Sequence, residues 1–243
     1  MKISIIIPCF NQAEYLEDAI ESAYNQSYPP HEIIVVDDGS TDGSGEIAER
    51  YMFKQFPLLD SPVKVIHQVN KGLASARNAG IAMATGDFIL PLDADDMLME
   101  NAVEVITRKI LEYSKVDVIA PSFQEFGKSD RKVILQDFTL EHLKQANRLG
   151  YFSAIRRSAL LECGGYNPKM IFGWEDYDLW FDLWKRGKSF LILNGEEFVL
   201  VKYRVKEHSM ITEANKHADE LWRQIRINHP EIFSGSVANL SLF

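Results

Sequence analysis

Apolar positions in the first half of the chain fall into short unbroken runs, separated by stretches in which they recur at helical spacing. Five runs are rich in isoleucine, valine and leucine, and their shortness predicts buried strands rather than helices. The predicted strands cover residues 2–8, 32–38, 63–68, 87–92 and 116–121. Such unbroken runs are typical of strands that are covered on both faces.

The stretches between the strands predict helices and the turns that lead into them. The predicted helices carry Leu16, Ile20 and Ala23 on one face, span 73–84, and lie near 100–113. Asn11 is expected to cap the first of them, and the GSTDGS segment after the second strand combines turn and cap residues. Gly86 suits a left-handed residue after the 73–84 helix.

The second half of the chain is less regular. A loop-like segment over 127–150 leads into a predicted edge strand over 151–157. Further elements are predicted as a helix over 174–187, strands near 189–193 and 198–204, and a final helix near 212–228. Because no repeat, linker or low-complexity run interrupts the chain, we expect a single domain, 1–243, with halves of about 1–122 and 123–243.

Alternating strands and helices predict an α/β fold with a mostly parallel central sheet flanked by helices, followed by a smaller mixed C-terminal half. Ligands of such sheets bind at the carboxyl ends of the strands. The segments 8–11, 37–40 and 93–96 each follow a predicted strand. We therefore expect them to converge on one edge of the sheet.

The overall composition excludes some functions. The 243 residues carry a formal charge of −9, which argues against broad nucleic-acid binding because phosphate neutralisation needs a basic surface. Two cysteines are too few for a disulfide scaffold and favour a reducing compartment. No secretory signal and no apolar run near the ~18 residues of a membrane span is found, so we expect a cytoplasmic location.

The stretch FILPLDADDML, 88–98, places three carboxylates directly after a strand: Asp93, Asp95 and Asp96. An EF-hand is excluded by spacing, since Leu98 stands where that loop needs glycine. Carboxylates on both sides of the small Ala94 could hold Mg²⁺ or Mn²⁺ if substrate phosphates supplied the remaining ligands. The alternative is a solvated loop.

Two further motifs could contact a nucleotide. Asp37 and Asp38 end the second strand, where an aspartate could accept a hydrogen bond from the imide N–H of a uracil ring; the alternative is a turn and helix cap. Lys71 and Arg77 flank the start of the 73–84 helix, where backbone N–H groups favour anions. For Arg77 the alternative is a position on the solvent-facing side of the helix.

The segment FGWEDYDLWFDLWKRG, 172–187, combines aromatic and acidic residues. Its aromatic side chains recur at helical spacing and are expected in the core, whereas Asp178 and Asp182 are expected to face solvent. Glu175 and Asp176 fall in the first turn, where the helix dipole favours the ionised form. A carboxylate kept ionised in a crevice could act as a general base.

In order and spacing, IIIPCFN, VVDDGSTD, NKGLASARNAG, LDADD and GWEDYDLW resemble the successive motifs of family 2 glycosyltransferases, an inverting group with the GT-A fold. The resemblance runs from Ile3 to about Met210. It implies the GT-A fold, with a nucleotide-sugar-binding first half and an acceptor-binding second half. It also implies transfer of a sugar from a UDP-sugar to an acceptor hydroxyl, in surface-polysaccharide or glycolipid synthesis.

The resemblance implies a role for each matching position. The nucleotide-sugar would be bound by Pro8, Phe10, Asn11, Asp37, Asp38, Lys71, Arg77, Asp93 and Ala94. Among these, Asp38 would bind the uracil, and Arg77 would steady the diphosphate or the acidic motif. Asp95 would bind Mn²⁺ or Mg²⁺ directly, with Asp93 facing the donor's ribose or sugar and serving as a further metal candidate. Asp176 matches the catalytic base, with Glu175 in reserve.

Where many relatives carry a histidine, two residues beyond the YR of VKYRVKEHSM, this chain has Lys206. Either His208 replaces that histidine as a metal or phosphate ligand, or Lys206 neutralises phosphate directly. The acceptor, a saccharide or glycolipid, is expected near 151–157 and the loop before Trp174. The final helix could pack on the body, form a homodimer or make a peripheral membrane contact.

Two other functions stay open at this stage. Haloacid-dehalogenase-like phosphatases also place an Asp-x-Asp motif after an apolar strand, although near the N-terminus rather than at residue 93. A nucleotide-sugar-binding module without turnover is the second alternative. Phosphate release from phosphomonoesters, or binding of UDP-sugar without UDP release, would distinguish them.

Overall fold

The computed structural model describes residues 1–54, 63–207 and 209–234. Its strands are β1 (Ile3–Cys9), β2 (Glu32–Asp37), β3 (Lys64–His67), β4 (Phe88–Pro91), β5 (Met97–Leu98), β6 (Val118–Gly127), β7 (Lys132–Val133), β8 (Ala154–Arg156), β9 (Phe190–Leu193) and β10 (Val199–Val205). Its helices are α1 (Leu16–Tyr24), α2 (Ser44–Met52), α3 (Leu73–Met83), α4 (Ala102–Glu112), α5 (Leu140–Leu143), α6 (Arg157–Cys163), α7 (Glu175–Lys185), α8 (Met210–Lys216), α9 (Ala218–Asn228) and α10 (Pro230–Phe233). The mixed α/β class predicted from the sequence is confirmed.

The strands form a curled sheet in the order β3-β2-β1-β4-β8-β6-β10-β5, with β7 and β9 also paired to β6. The pairs among β1 to β4 are parallel, as the unbroken apolar runs predicted. All seven residues of β1 are buried, since helices cover both faces. Ile5 and Ile7 pack into one core layer and Ile6 into the other.

The predicted edge strand over 151–157 lies in the middle of the sheet instead. Its central part, β8, pairs antiparallel with β4 through Ile155 and Arg156, and with β6 through Ala154 and Ile155. Ala154 and Ile155 are fully buried, so apolar residues of this strand fill the centre rather than the rim. The strand joins the parallel part of the sheet to the mixed C-terminal part.

Several predicted boundaries also change. The segment over 127–150 contains β7 and α5, and the final helix is divided at His217 into α8 and α9. Gly86 does not have a left-handed backbone; a Cβ there would lie 2.5 Å from the Ser4 hydroxyl oxygen, so close packing requires the glycine. Asn11 does not cap α1, whose N-terminus has no side-chain cap.

The aromatic residues of α7 pack into the core as predicted, with Tyr177 and Phe181 fully buried. The prediction for Asp178 is wrong, since it is also buried. It accepts hydrogen bonds from Asn228 Nδ2 at 2.8 Å and lies 2.9 Å from His229 Nε2. These contacts attach the end of α9 to α7.

Candidate functional site

A cleft of about 710 Å³ opens at the carboxyl ends of β1, β2 and β4. Segments 168–173, 203–206 and 209–213 supply its other wall. The sequence-predicted residues that line it are Pro8, Phe10, Asp38, Lys71, Asp93, Ala94, Asp95 and Glu175. They meet here because parallel strands end at the same edge of the sheet. Asn11, Asp37, Arg77 and Asp176 are not among the lining residues.

Asp38 organises the loop before α3. Its Oδ1 accepts hydrogen bonds from Gln68 Nε2 at 2.6 Å and from the Lys71 backbone N–H at 2.9 Å, and its Oδ2 accepts one from the Gly72 N–H at 2.8 Å. An ionised carboxylate offers about four acceptor positions, so these three contacts leave one on Oδ2. The Lys71 backbone is therefore fixed in the cleft wall by Asp38.

Asn11 and Asp37 stabilise the loops behind the cleft. Asn11 has a positive φ of 52°, and its Oδ1 accepts from the Thr41 N–H at 2.8 Å. Asp37 Oδ1 accepts from the Ser40 N–H at 2.9 Å, and Asp37 Oδ2 lies 3.0 Å from His67 Nδ1. Burial raises the pKa of Asp37, but the hydrogen bonds from Ser40 and His67 lower it overall.

Arg77 is 1% exposed and lies beneath the cleft, so the alternative of a solvent-facing arginine is wrong. Its Nη2 donates to Asp93 Oδ1 at 2.7 Å and its Nη1 donates to Glu175 Oε1 at 2.5 Å. The guanidinium carbon also lies 5.0 Å from the ring centre of Tyr151. One buried cation thus joins the acidic motif after β4 to the first turn of α7.

Tyr151 supports the acidic segment from below. Its hydroxyl donates to Asp96 Oδ2 at 2.6 Å and accepts from the Asp93 backbone N–H at 3.0 Å. Burial raises the pKa of Asp93 to about 6 against the opposing charge of Arg77. Burial and the charges of Asp95 and Asp93 raise the pKa of Asp96 well above its ordinary value. Asp96 is thus a buried structural residue.

Asp95 presents its carboxylate to the cleft and contacts Lys206, whose Nζ lies 2.7 Å from Asp95 Oδ2. Arg204 holds the backbone of the same segment, since its Nε donates to the Asp95 carbonyl at 2.8 Å and its N–H donates to Asp96 Oδ1 at 2.6 Å. The end of β10 therefore fixes the acidic motif across the sheet. His208 lies outside the described residues.

The three carboxylates of the motif differ in what they can offer a cation. Asp93 Oδ1 is engaged by Arg77, Asp96 by Tyr151 and Arg204, and Asp95 Oδ2 by Lys206, while Asp93 and Asp95, each 26% exposed, both line the cleft. Within residues 1–54, 63–207 and 209–234, no three His, Cys, Asp or Glu side chains form a metal-holding group. The carboxylate oxygens of the motif fit a hard cation that takes its remaining ligands from substrate phosphates and water.

Glu175 and Asp176 have different surroundings. Glu175 lines the cleft but is buried and paired with Arg77. Asp176 accepts from Asn147 Nδ2 at 3.0 Å, and it forms no ion pair with any residue in the described part of the chain. Burial and the charge of Glu175 raise the pKa of Asp176 to about 7. Asp176 is therefore less readily ionised than its place in the first turn of α7 predicts.

The expected acceptor region divides in two. Residues 151–153 are buried and lead into the interior strand β8 and the start of α6, and no residue of 151–157 lines the cleft, so the acceptor position there stays a prediction. The loop before Trp174 does line the cleft through Met170 and Ile171. Opposite it, Met210 and Ile211 of α8 also line the cleft and are exposed. This rim is apolar and open to solvent.

Sequence reasoning missed three residues that shape the site. Gln68 fixes Asp38, Tyr151 supports Asp93 and Asp96, and Arg204 holds the Asp95 backbone. None stands in an acidic motif. For Arg204, alternation along the strand with Lys206 was the available signal, since side chains two apart share a face.

A model of glycosyl transferase family 2 matches residues 4–173. The glycosyltransferase GlyG of Streptococcus pneumoniae serotype 4 is 39% identical over 146 residues, which are 58% of this chain and 46% of GlyG. TuaG of Bacillus subtilis, a putative teichuronic acid biosynthesis glycosyltransferase, is 28% identical over 232 residues, 90% of this chain and 85% of TuaG. The chain spans less than half the length of GlyG.

Solved structures share the fold. Staphylococcus aureus TarS 1–349 in complex with UDP-GlcNAc superposes with a TM-score of 0.76 at 21% identity, covering 94% of this chain and 66% of that one. The mannosyltransferase PcManGT of Pyrobaculum calidifontis, in complex with GDP-Man and Mn²⁺, gives 0.65 at 17% identity, covering 97% and 70%. The GT-A fold predicted from the sequence is confirmed.

No helix in the described ranges has the length and apolar character needed to cross a membrane.

Proposed function

Because the chain belongs to glycosyl transferase family 2, we propose that it transfers a sugar from a nucleotide-sugar to an acceptor hydroxyl with inversion at the anomeric carbon. One observation carries the proposal: the Asp38 loop, Asp95 and the first turn of α7 surround a single cleft of about 710 Å³. The match over 4–173 includes the acidic motif, which favours this activity over a phosphatase.

A UDP-sugar is the proposed donor. The nucleoside would lie between Pro8, Phe10 and the loop that Asp38 holds, where Asp38 Oδ2 retains an acceptor position for an imide N–H. The complexes of TarS with UDP and with UDP-GlcNAc support a uridine donor. The diphosphate would extend toward Asp95, and Asn11 and Asp37 would act indirectly by shaping the adjoining loops.

We assign the metal position to Asp95, with Mn²⁺ or Mg²⁺ as the cation. When bound, a divalent cation would stabilise the charge that develops on the diphosphate leaving group. Arg77 would hold Asp93 and Glu175 in place and balance their charges without touching the donor. Asp93 would then face the donor's ribose or sugar from a fixed position.

Asp176 is the proposed general base. Its pKa of about 7 suits proton removal near neutral pH, because a base works best when its pKa lies near the working pH. Glu175 is the weaker candidate, since its carboxylate is buried and its Oε1 is held by the Arg77 guanidinium at 2.5 Å. Asp176 would accept the proton of the acceptor hydroxyl while that oxygen forms its bond to the anomeric carbon and the bond to the diphosphate breaks.

The acceptor would enter between the loop before Trp174 and α8. Ile171, Met210 and Ile211 would supply apolar contacts to a saccharide face or to the lipid part of a glycolipid. We propose a cytoplasmic role in surface-polysaccharide synthesis, and the relative TuaG is named as a putative teichuronic acid biosynthesis glycosyltransferase. Homodimer formation and peripheral membrane contact stay proposals without a contact that supports either.

Calorimetric titration of UDP with and without Mn²⁺ tests the donor site, using wild type, Asp95→Ala and an exposed control, Asp137→Ala. We expect Mn²⁺-enhanced binding that only Asp95→Ala loses. No UDP binding by folded wild type in either condition would contradict the proposal. UDP release from UDP-sugars in the presence of saccharide acceptors then separates an enzyme from a module that only binds.

A further inference from the structure

We propose that the Lys206 ammonium pairs with Asp95 when no donor is bound and contacts the diphosphate once a divalent cation binds Asp95. Lys206 would thus be a counter-cation that belongs to the donor site itself. This inference rests on the proposed function. Lys206 would then determine how strongly donor binding depends on the metal ion. Lys206 would be a positioning residue for the diphosphate.

The contacts of Lys206 place its charge at the centre of the acidic wall. The ammonium lies 2.7 Å from Asp95 Oδ2, 3.1 Å from Gln12 Oε1 and 4.1 Å from the ring centre of Tyr15. Its side chain is 22% exposed and lines the cleft. An ammonium group has three N–H donors, and two of them are engaged by these oxygens. The third can reach a phosphate oxygen in the cleft.

Arg204, two residues earlier, has a different and fixed role. Its guanidinium lies between the rings of Tyr15 and Phe126, at 4.3 and 4.4 Å, and its Nε donates to the Asp95 carbonyl. Moving it would break the support of the acidic segment. Lys206 is held only near the tip of a flexible four-carbon stem, so its ammonium can change partner without moving the strand.

The local charges require such a change of partner. Arg77 already balances Asp93 and Glu175, while Asp95 is balanced by Lys206. A divalent cation that binds Asp95 must therefore compete with the ammonium, which weakens binding of the metal alone. The diphosphate brings negative charge that accepts the released ammonium, and lysine binds phosphate well as a point charge. Metal and donor should consequently bind together more strongly than either binds alone.

The decisive variant is Lys206→Met, which keeps the stem and removes the charge. The affinities measured in two titrations should change in opposite directions. Without nucleotide, Mn²⁺ should bind about threefold more tightly, because Asp95 loses a competing cation. Without metal, UDP should bind about tenfold more weakly, because the free third N–H of Lys206 no longer reaches a phosphate oxygen and the charge of Asp95 is left unbalanced beside the diphosphate. Calorimetry measures both, and electron paramagnetic resonance of free Mn²⁺ checks the first.

Lys202→Met, on β10 shortly before Lys206, is the matched control and should leave both affinities unchanged. Lys206→Arg keeps the charge and should retain most of the metal-free UDP binding. Equal affinities in wild type and folded Lys206→Met would overturn this inference while leaving the proposed function intact, and so would a loss of UDP binding without any gain for Mn²⁺. Absence of UDP binding in wild type under every condition would overturn the proposed function as well.

Discussion

Replacing Arg77 by methionine tests the buried ion cluster that joins the acidic motif to α7. Methionine has a similar length and helix propensity, so the change removes the charge and its hydrogen bonds without creating a large cavity. Asp93 and Glu175 would lose the cation that contacts them at 2.7 and 2.5 Å. The variant thus leaves the buried Glu175 and the 26% exposed Asp93 without the cation that balances them.

The expected loss of stability is large. Removing one partner of a buried ion pair costs about 3–5 kcal/mol because the other charge stays desolvated. For a chain of this size each kcal/mol lowers the melting temperature by about 2–4 °C, so the variant should melt roughly 6–20 °C lower. Adding Glu175→Gln should recover about 1–2 kcal/mol, since it removes one of the unpaired charges.

The loss should also depend on pH. The pKa of Asp93 in the folded protein is about 6, above the ordinary value near 3.9, so Asp93 reduces stability as the pH rises from about 4 through 6. Without the opposing charge of Arg77 that pKa rises further, and the folded variant binds more protons than wild type. The stability difference should therefore be smaller at pH 5 than at pH 8.

Urea unfolding at both pH values measures these effects, with Arg223→Met on the exposed side of α9 as the matched control. The control should stay within about 0.5 kcal/mol of wild type. A decrease in the free energy of unfolding below about 1 kcal/mol for Arg77→Met at pH 8 would refute the reasoning, because removing the cation of a buried charge cluster should destabilise the fold by more than that. A loss that is equal at pH 5 and pH 8 would refute the assignment of the effect to unpaired carboxylates.

Three further predictions concern other residues. Asp176→Asn should lower kcat of sugar transfer about 10²–10⁴-fold. In wild type, kcat should rise with pH through about 7, as Asp176 becomes ionised. Tyr151→Phe should cost about 1–3 kcal/mol in urea unfolding, because Asp96 Oδ2 and the Asp93 N–H lose their shared partner. His229→Ala should cost about 1–3 kcal/mol, because a buried contact to Asp178 is lost.

Each of these has a result that would contradict it. A wild-type kcat that does not change between pH 6 and 8 would argue against Asp176 as the base, provided that sugar transfer limits the rate. Tyr151→Phe with the stability of wild type and unaltered UDP binding would mean that the hydroxyl does not support the acidic segment. His229→Ala unfolding at the same urea concentration as the control Arg223→Met would show that the attachment of α9 to α7 lies elsewhere.

The sequence determined the parallel part of the fold and the position of the cleft. Unbroken apolar runs can be satisfied only by burial on both faces, so the strands near 2–8, 32–38 and 87–92 had to form the interior of a covered sheet. The residues that follow them then had to meet at one edge. Pro8, Asp38 and Asp95 were predictable for this reason.

Tertiary structure alone decided how the charges of the site are paired. Arg77 reaches Glu175 across 98 positions of sequence and Tyr151 reaches Asp96 across 55. Lys206, just after β10, contacts Asp95, just before β5, because those two strands are paired. Burial also reversed the expectation for Asp178, which bonds to the end of α9 instead of solvent. Local periodicity reports which face of an element is apolar, whereas ion pairing and pKa depend on distances between elements and on desolvation, which exist only once the chain has folded.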